Sequence, residues 1–338
     1  MAHYDTINVE ICGWTREGLG IMRASIKELL DHYQVRRSFK QKQAFIQWLK
    51  RHSEVHDYQF YEQKYKKGRG RNLIVGNPKT AATIVTAHYD TPPNALFPIA
   101  TIVGNIPSYI MGQLVMFLPI IAIIWLLHLG VVATFGHLGI WSDMVPFFWF
   151  ELPLLVVTLL MLWCFQMMMG FSNQKNANDN TSGVTVLLSL LEDLPHRERG
   201  KVCFVFFDEE EKGLEGAKCF KKAYGKAIRF KPLINFDCVA NGKHLMFITK
   251  KAFRESKFND MLAEVTENKA LLKEAKKYVY PSDQLIFKNS VGVTALHKVP
   301  LLGYYLSRLH SRFDFKFNVD QIEDLTQMMI TFIAKIPD

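Results

Sequence analysis

Between Leu19 and Leu49 apolar residues recur at three- and four-residue intervals: Leu19, Met22, Ile26, Leu29 and Leu30, then Phe45, Trp48 and Leu49. That period predicts two amphipathic helices between about Arg16 and Arg51. The pattern then changes to alternation over His56 to Tyr65 and Asn72 to Val75, followed by the compact β-rich run Ala82-Thr-Ile-Val-Thr-Ala-His88. These read as the first strands of a sheet. Further on, Gly183 to Leu194 and Lys212 to Tyr224 read as helices, whereas Lys201-Val-Cys-Phe-Val-Phe-Phe207 and Pro232-Leu-Ile-Asn-Phe236 are continuous apolar runs. Such runs between helices predict strands covered on both faces. The expected fold class is therefore α/β, with a mixed, mostly parallel sheet flanked by helices.

One stretch breaks the pattern. From Thr91 to Ser142 there is no Asp, Glu, Lys or Arg, and from Met144 to Gln174 the only one is Glu151. Pro107 to Leu129 and Phe147 to Met169 each reach the roughly 20 apolar residues that a helix needs to cross a bilayer. The alternative, two core helices apolar on every face, is hard to accommodate in a chain of 338 residues. The division expected is residues 1–98 and 171–338 as one domain split by an inserted transmembrane hairpin, 99–170. The connector Gly130 to Pro146 carries no Lys or Arg, while Lys64, Lys66, Lys67, Arg69, Arg71 and Lys175 lie on the domain side. By the positive-inside rule the large domain faces the cytoplasm, making this an integral membrane protein with two spans. Trp125, Trp141, Trp149 and Trp163 are interfacial or packing aromatics on this reading.

Composition adds little until it is set against that stretch. Apolar residues make up 49% of the chain and the formal charge is +9. Apart from the 64–71 cluster the basic residues are dispersed, and no nucleic-acid motif surrounds them, so no nucleic-acid partner is expected. The surplus suits anionic lipid headgroups. The five cysteines share no paired spacing, which argues against a disulfide framework and for a reducing compartment. The opening residues lack a basic segment followed by an apolar run, so no cleavable signal is expected.

The candidate chemistry lies at strand ends. Asp208-Glu-Glu-Glu211 follows an apolar strand directly, and four adjacent carboxylates there call for a cation or full solvation. The run ending at Ala87 leads into His88-Tyr-Asp90, and the run ending at Phe236 leads into Asp237. In open parallel sheets ligands gather outside the carboxyl ends of the strands. Asp179, before a helix, could be a simple N-cap, and a lone His310 could be structural. Two histidines and several carboxylates at element boundaries instead suggest a metal site.

In order along the chain stand Ala87-His-Tyr-Asp-Thr91, Asn178-Asp-Asn-Thr-Ser-Gly183, Glu210-Glu-Lys-Gly-Leu-Glu-Gly216, Asn235-Phe-Asp237, Ser282-Asp283 and His310-Ser-Arg-Phe-Asp314. On these pieces the chain resembles the co-catalytic two-zinc aminopeptidases, relatives of bacterial leucyl aminopeptidases, glutamate carboxypeptidase and the transferrin receptor ectodomain. The resemblance covers about residues 70–98 and 171–335. It implies two Zn2+ ions per chain bridged by Asp179, with His88 and Asp237 completing one site and Glu211 and His310 the other. It also implies Glu210 as general base, Asp90 as an orienting carboxylate behind His88, and Asp314 in a similar role near His310. Imidazole and carboxylate suit zinc, and a pair of zinc ions can acidify a water and polarise a carbonyl. The implied function is hydrolysis of peptide bonds by a membrane-anchored metallo-aminopeptidase.

The departures from the family bear on specificity. Ser282-Asp283-Gln284 stands where relatives often have Ser-Asp-His, so Gln284 is a candidate pocket contact. Tyr280, or its neighbour Tyr278, is the candidate for a tyrosine that helps hold the oxyanion. Glu209 replaces a small residue before the Glu pair. His88 and Asp179 lie 91 positions apart, whereas the family joins them by a short loop. The surplus is the hydrophobic hairpin, so both its flanks end at expected ligands and the site is expected close to the membrane surface. Three alternatives remain open at this level: an amidase acting on an amphiphilic or lipid-linked aminoacyl substrate, a glutaminyl-cyclase-like transferase suggested by Phe206-Phe-Asp-Glu-Glu210, and a non-catalytic membrane scaffold. An oligomer is also compatible with the sequence.

Overall fold

The structure is a computed structural model that describes residues 22–95, 98–116, 170–300 and 302–337, with isolated positions between 118 and 161. The first two helices form where the apolar spacing places them: α1 (Ala24–His32) buries Ile26, Leu29 and Leu30, and α2 (Phe39–Val55) buries Phe45, Ile46, Trp48 and Leu49. A capping box starts α2. Ser38 Oγ accepts the Gln41 N–H and the Gln41 side chain accepts the Ser38 N–H, satisfying two donors that the first turn leaves open.

Among the described residues ten strands make the sheet: β1 (Phe60–Tyr65), β2 (Gly70–Val75), β3 (Thr83–His88), β4 (Ile99–Val103), β5 (Val202–Phe207), β6 (Leu233–Phe236), β7 (His244–Thr249), β8 (Leu271–Glu274), β9 (Ser290–Val299) and β10 (Gly303–Leu309). Their order is β1-β2-β5-β3-β6-β9-β10-β4, with β7 between β8 and a second edge of β9. The centre, β5-β3-β6-β9, is parallel, and β1, β2, β7, β10 and β4 add antiparallel pairings around it. The expected mixed α/β sheet flanked by helices forms, but it is not mostly parallel: among the described residues four strand pairings are parallel and five antiparallel, because the strands outside the parallel centre return as hairpins and edge strands.

Two apolar layers cover the sheet. The larger packs α1, α2, α4 (Gly183–Asp193), α6 (Phe258–Thr266) and α7 (Val319–Lys335) on one face. The smaller puts Ala217 and Phe220 of α5 (Glu215–Tyr224) with Phe207 and Phe287 on the other. Parallel pairing aligns His88 with Phe207 and Thr86 with Asn235, so β3, β5 and β6 finish at one edge. Their next residues, Tyr89, Asp208 and Asp237, share that edge.

The segment read as the insertion, 99–170, begins inside the sheet. Its first residues form β4, which pairs with β10 through Tyr304↔Val103 and Leu306↔Thr101. From β4 the chain enters α3 (Ile106–Met116), whose Ile106, Ile110, Met111, Leu114 and Val115 are exposed. Positions 118, 122, 123, 125 and 126 are also helical, with Leu118, Ile123, Trp125 and Leu126 exposed. Among the described residues no helix is long and apolar enough to cross a membrane. Part of Pro107–Leu129 and most of Phe147–Met169, with most of the connector and Trp141, Trp149 and Trp163, lie outside the described residues.

Candidate metal centre

The three parallel strands are buried throughout, and each stops where its sequence turns polar. His88 closes β3; Asp208 to Glu211 follow β5; Asp237 follows β6. Two other segments reach the same point. Residues 178–182 lead into α4, where Gly183 lets the helix start against β6, since a Cβ there would lie 2.4 Å from the Phe236 carbonyl oxygen. His310 follows β10.

The side chains converge as two overlapping triads. His88, Asp179 and Asp237 form one, and Asp179, Glu211 and His310 the other, with ligand atoms all within 4.8 Å of one another in each. Asp179 belongs to both through different oxygens. Its Oδ1 faces His88 Nε2 at 3.4 Å, and its Oδ2 faces His310 Nε2 at 3.1 Å. Asp237 Oδ1 lies 3.7 Å from His88 Nε2, and Glu211 Oε2 lies 3.3 Å from His310 Nε2. Glu210 joins His88 and Glu211 in a third such group.

Several members are held from behind. Asp90 accepts the backbone N–H groups of Glu210 (3.1 Å) and Glu211 (3.4 Å), while its carbonyl oxygen lies 3.1 Å from His88 Nδ1. One residue thus sets a histidine and both glutamates. Asp314 accepts the N–H groups of Asn178 and Asp179, each at 3.0 Å. Asn180, joined to Asp179 by a cis peptide, donates to Phe236 O and accepts from Gly183 N. Glu209, Cys238 and His310 itself adopt positive φ (57°, 56° and 51°). Non-glycine residues there are strained, and such strain clusters where surrounding structure imposes it, often at active sites.

The charge distribution follows from burial. Burial, then the neighbouring carboxylates, pushes Glu210 and Glu211 well above the usual carboxylate range, against the pull of His88. Burial acts on Asp179 too, yet its hydrogen bonds to His310 and His88 outweigh it and keep the pKa low. Burial, opposed by His88 and reinforced by Asp90 and Asp237, lifts Asp283 to about 8. The site therefore concentrates more negative charge than its two imidazoles offset, which is what a cationic centre would compensate. The donors fit zinc in kind, being imidazole nitrogens and carboxylate oxygens. Among the described residues buried Glu211 Oε1 has no hydrogen-bond partner, while the other oxygen of that carboxylate faces His310, so the carboxylate keeps acceptor capacity to spare.

The structure thus gathers His88, Asp90, Asp179, Glu210, Glu211, Asp237 and His310, with Asp314 directly behind. Tyr280 and Gln284 sit beneath this cluster. The Tyr280 hydroxyl donates to the Asp237 carbonyl oxygen at 2.9 Å, and the Gln284 amide bonds to Tyr280 O and Asn235. Both are buried. Three supporting groups had no sequence signal. Arg36 is fully buried and donates to Tyr89 O, Tyr33 O and Thr181 Oγ1. Lys42 pairs with buried Asp208, which also accepts the Arg71 and Glu209 N–H groups. In the basic cluster, Lys66 pairs with Glu209 and Glu215.

The flanks of the apolar insertion are tied to the same centre. Asn94 N–H donates to Phe171 O at 2.8 Å, and Asn173 N–H to Pro92 O at 3.3 Å. Ala95 N–H then donates to His310 O at 2.6 Å, and the Asn173 amide to Ser311 O at 3.0 Å.

The profile of Peptidase family M28 matches residues 167–330. No curated protein matches the sequence. Among solved structures, the chain is similar to the LapA aminopeptidase of Legionella pneumophila at 12% identity and a TM-score of 0.53, over 92% of this chain and 69% of that one. A Zn-dependent exopeptidase from Parabacteroides distasonis gives 12% and 0.53 over 92% and 95%. The glutaminyl cyclase of Porphyromonas gingivalis gives 13% and 0.52 over 92% and 95%. The chain shares its fold with zinc exopeptidases and glutaminyl cyclases alike, and the family profile, over its second half, relates it to Peptidase family M28.

Proposed function

We propose that the protein is a membrane-anchored, zinc-dependent aminopeptidase that hydrolyses peptide bonds at a centre for two zinc ions. The observation that carries this reading is Asp179, whose two oxygens face two different imidazoles, as a carboxylate shared between two metals would. His88 and Asp237 would hold one ion, and Glu211 and His310 the other. Bound zinc would polarise the scissile carbonyl and acidify the attacking water. Glu210 would take a proton from that water on its carboxylate and deliver it to the leaving amine. Asp90 fixes the backbone of Glu210 and Glu211 while steadying His88, and Asp314 fixes that of Asp179.

Substituting Glu210→Gln tests the assignment. Zinc content stays at the wild-type level, as expected when all five ligands remain, while hydrolysis of aminoacyl amides by the membrane-embedded enzyme is lost. Full activity in this variant sinks the mechanism, and carefully purified protein without bound metal would favour a non-catalytic scaffold. Membrane anchoring is supported by the charge-free stretch and by the exposed apolar side chains of α3. The hydrogen bonds from residues 95 and 173 to the His310 segment support a site beside the bilayer, with the large domain on the cytoplasmic side by charge bias.

Two other readings keep the same ligands. Exposed apolar residues at the root of the insertion favour an amphiphilic or lipid-linked aminoacyl amide as substrate, which a side-by-side comparison with short soluble amides would reveal. The cyclase structures among those similar to this chain favour a glutaminyl-cyclase-like transferase, and peptides with N-terminal glutamine separate cyclisation from cleavage.

A further inference from the structure

A second cluster of metal-binding side chains lies away from the centre just described. His52 and His56 are one helical turn apart near the C-terminal end of α2, and Glu192 projects from the last turn of α4. One ligand atom from each lies within 4.8 Å of the others. Counting along α4 from Gly183 to Glu192, the cluster is about 14 Å along the helix axis from the start of the helix that follows Asp179.

Several features single this cluster out from an ordinary surface ion pair. His52 Nε2 is buried and lies 2.9 Å from Glu192 Oε1. The His52 ring is stacked on Trp48 at 5.4 Å with 19° between planes, and the His56 ring lies 4.9 Å from it. Both rings are therefore placed before any ligand arrives. Glu192 divides its oxygens, with Oε1 facing His52 and Oε2 lying 3.5 Å from Arg23.

The charges nearby oppose one another. Arg23 and Arg199, which donates to the His56 carbonyl oxygen at 2.9 Å, disfavour a further cation. Against them, two helices end here, and the C-terminal ends of α2 and α4 both bring negative partial charge. Arg23 is already matched by Asp193 and Glu323 at 2.6 and 2.5 Å.

We propose that His52, His56 and Glu192 form a site for a divalent transition metal, zinc foremost, which clamps the end of α2 to the end of α4. Two imidazoles and a carboxylate are a suitable zinc set, with a fourth position left to water. The site is independent of the peptidase reading, because none of its ligands belongs to the catalytic cluster.

The test is a Zn2+ titration of the full-length protein against a chromophoric chelator, with metal content measured alongside. The wild-type chain should bind one equivalent more than His56→Ala or Glu192→Gln, and those substitutions should weaken this class of site roughly tenfold or more. Hydrolytic activity should be unchanged in both variants. Identical isotherms and zinc content in the wild type and a folded variant overturn the proposal. If neither variant folds, carbethoxylation of the wild-type protein decides: Zn2+ should protect His52 and His56, and equal labelling with and without it overturns the site.

Discussion

Replacing Asp314 with alanine perturbs the candidate centre through a residue that binds none of its presumed metals. Its carboxylate accepts two backbone N–H groups, from Asn178 and Asp179, at 3.0 Å each. A hydrogen bond to a charged group contributes about 1.5–3 kcal/mol, and each buried N–H left unsatisfied costs about 1–3 kcal/mol. Removal of Asp314 also relieves a penalty, since burial pushes its pKa well up against the pull of those two N–H groups. Orphaning both N–H groups less that relief gives a net destabilisation on the order of 2–4 kcal/mol. Asp179, proposed to be shared between the two metals, loses its anchor at the same time, and loss of such support costs roughly 10–100-fold in metal affinity. Asp314→Asn keeps one acceptor oxygen and should show about half the loss. Urea unfolding followed by circular dichroism gives the first number, and zinc competition with a chromophoric chelator the second. An alanine variant as stable as the wild type and equal to it in zinc affinity would refute the role given to Asp314.

Three further outcomes are expected. Lys42→Met leaves Asp208 buried without its cation and should cost about 3–5 kcal/mol in urea unfolding, with Asp208→Asn in the same chain restoring part of it; no recovery counts against a paired role. In metal-free protein Glu210 and Glu211 are raised by burial and Asp283 to about 8. The folded state thus holds protons that the unfolded chain releases near pH 4, so the stability they permit is present at low pH and lost as pH rises towards about 8. Chelator-treated protein should melt lower at pH 8 than at pH 5, and a melting point that rises over this range contradicts the shifts. Finally, the wild-type protein should stay with membranes through an alkaline carbonate wash, and lysines at Leu118 and Leu126, costing roughly 2.5–3.5 kcal/mol each at a span's centre, should loosen it. Wild-type protein that washes off freely would end the anchoring proposal.

The apolar runs that became β3, β5 and β6 were legible because a strand buried on both faces needs several consecutive apolar residues. The polar residues that end those runs, His88, Asp208 to Glu211 and Asp237, therefore announced the site edge. The helices were legible for the same local reason, with boundaries off by three residues at Glu215 and four at Val55. Strands β7 to β10 were not read at all. Nor was β4, whose Ile99–Val103 looks like the start of an apolar insertion and is fixed as an edge strand only by its pairing with β10.

Sequence by itself thus indicated the central strands and most helices, the edge where chemistry collects and, through a resemblance, the candidate donors that the structure brings together. Tertiary structure alone decided how those donors are held. Asp314 reaches Asp179 across 135 positions, Arg36 reaches Thr181 across 145, and Lys42 reaches Asp208 across 166. Such pairs leave no periodic trace, because a hydrogen bond is set by where the packed backbone places donor and acceptor. Hydrophobic periodicity records only which face each element buries.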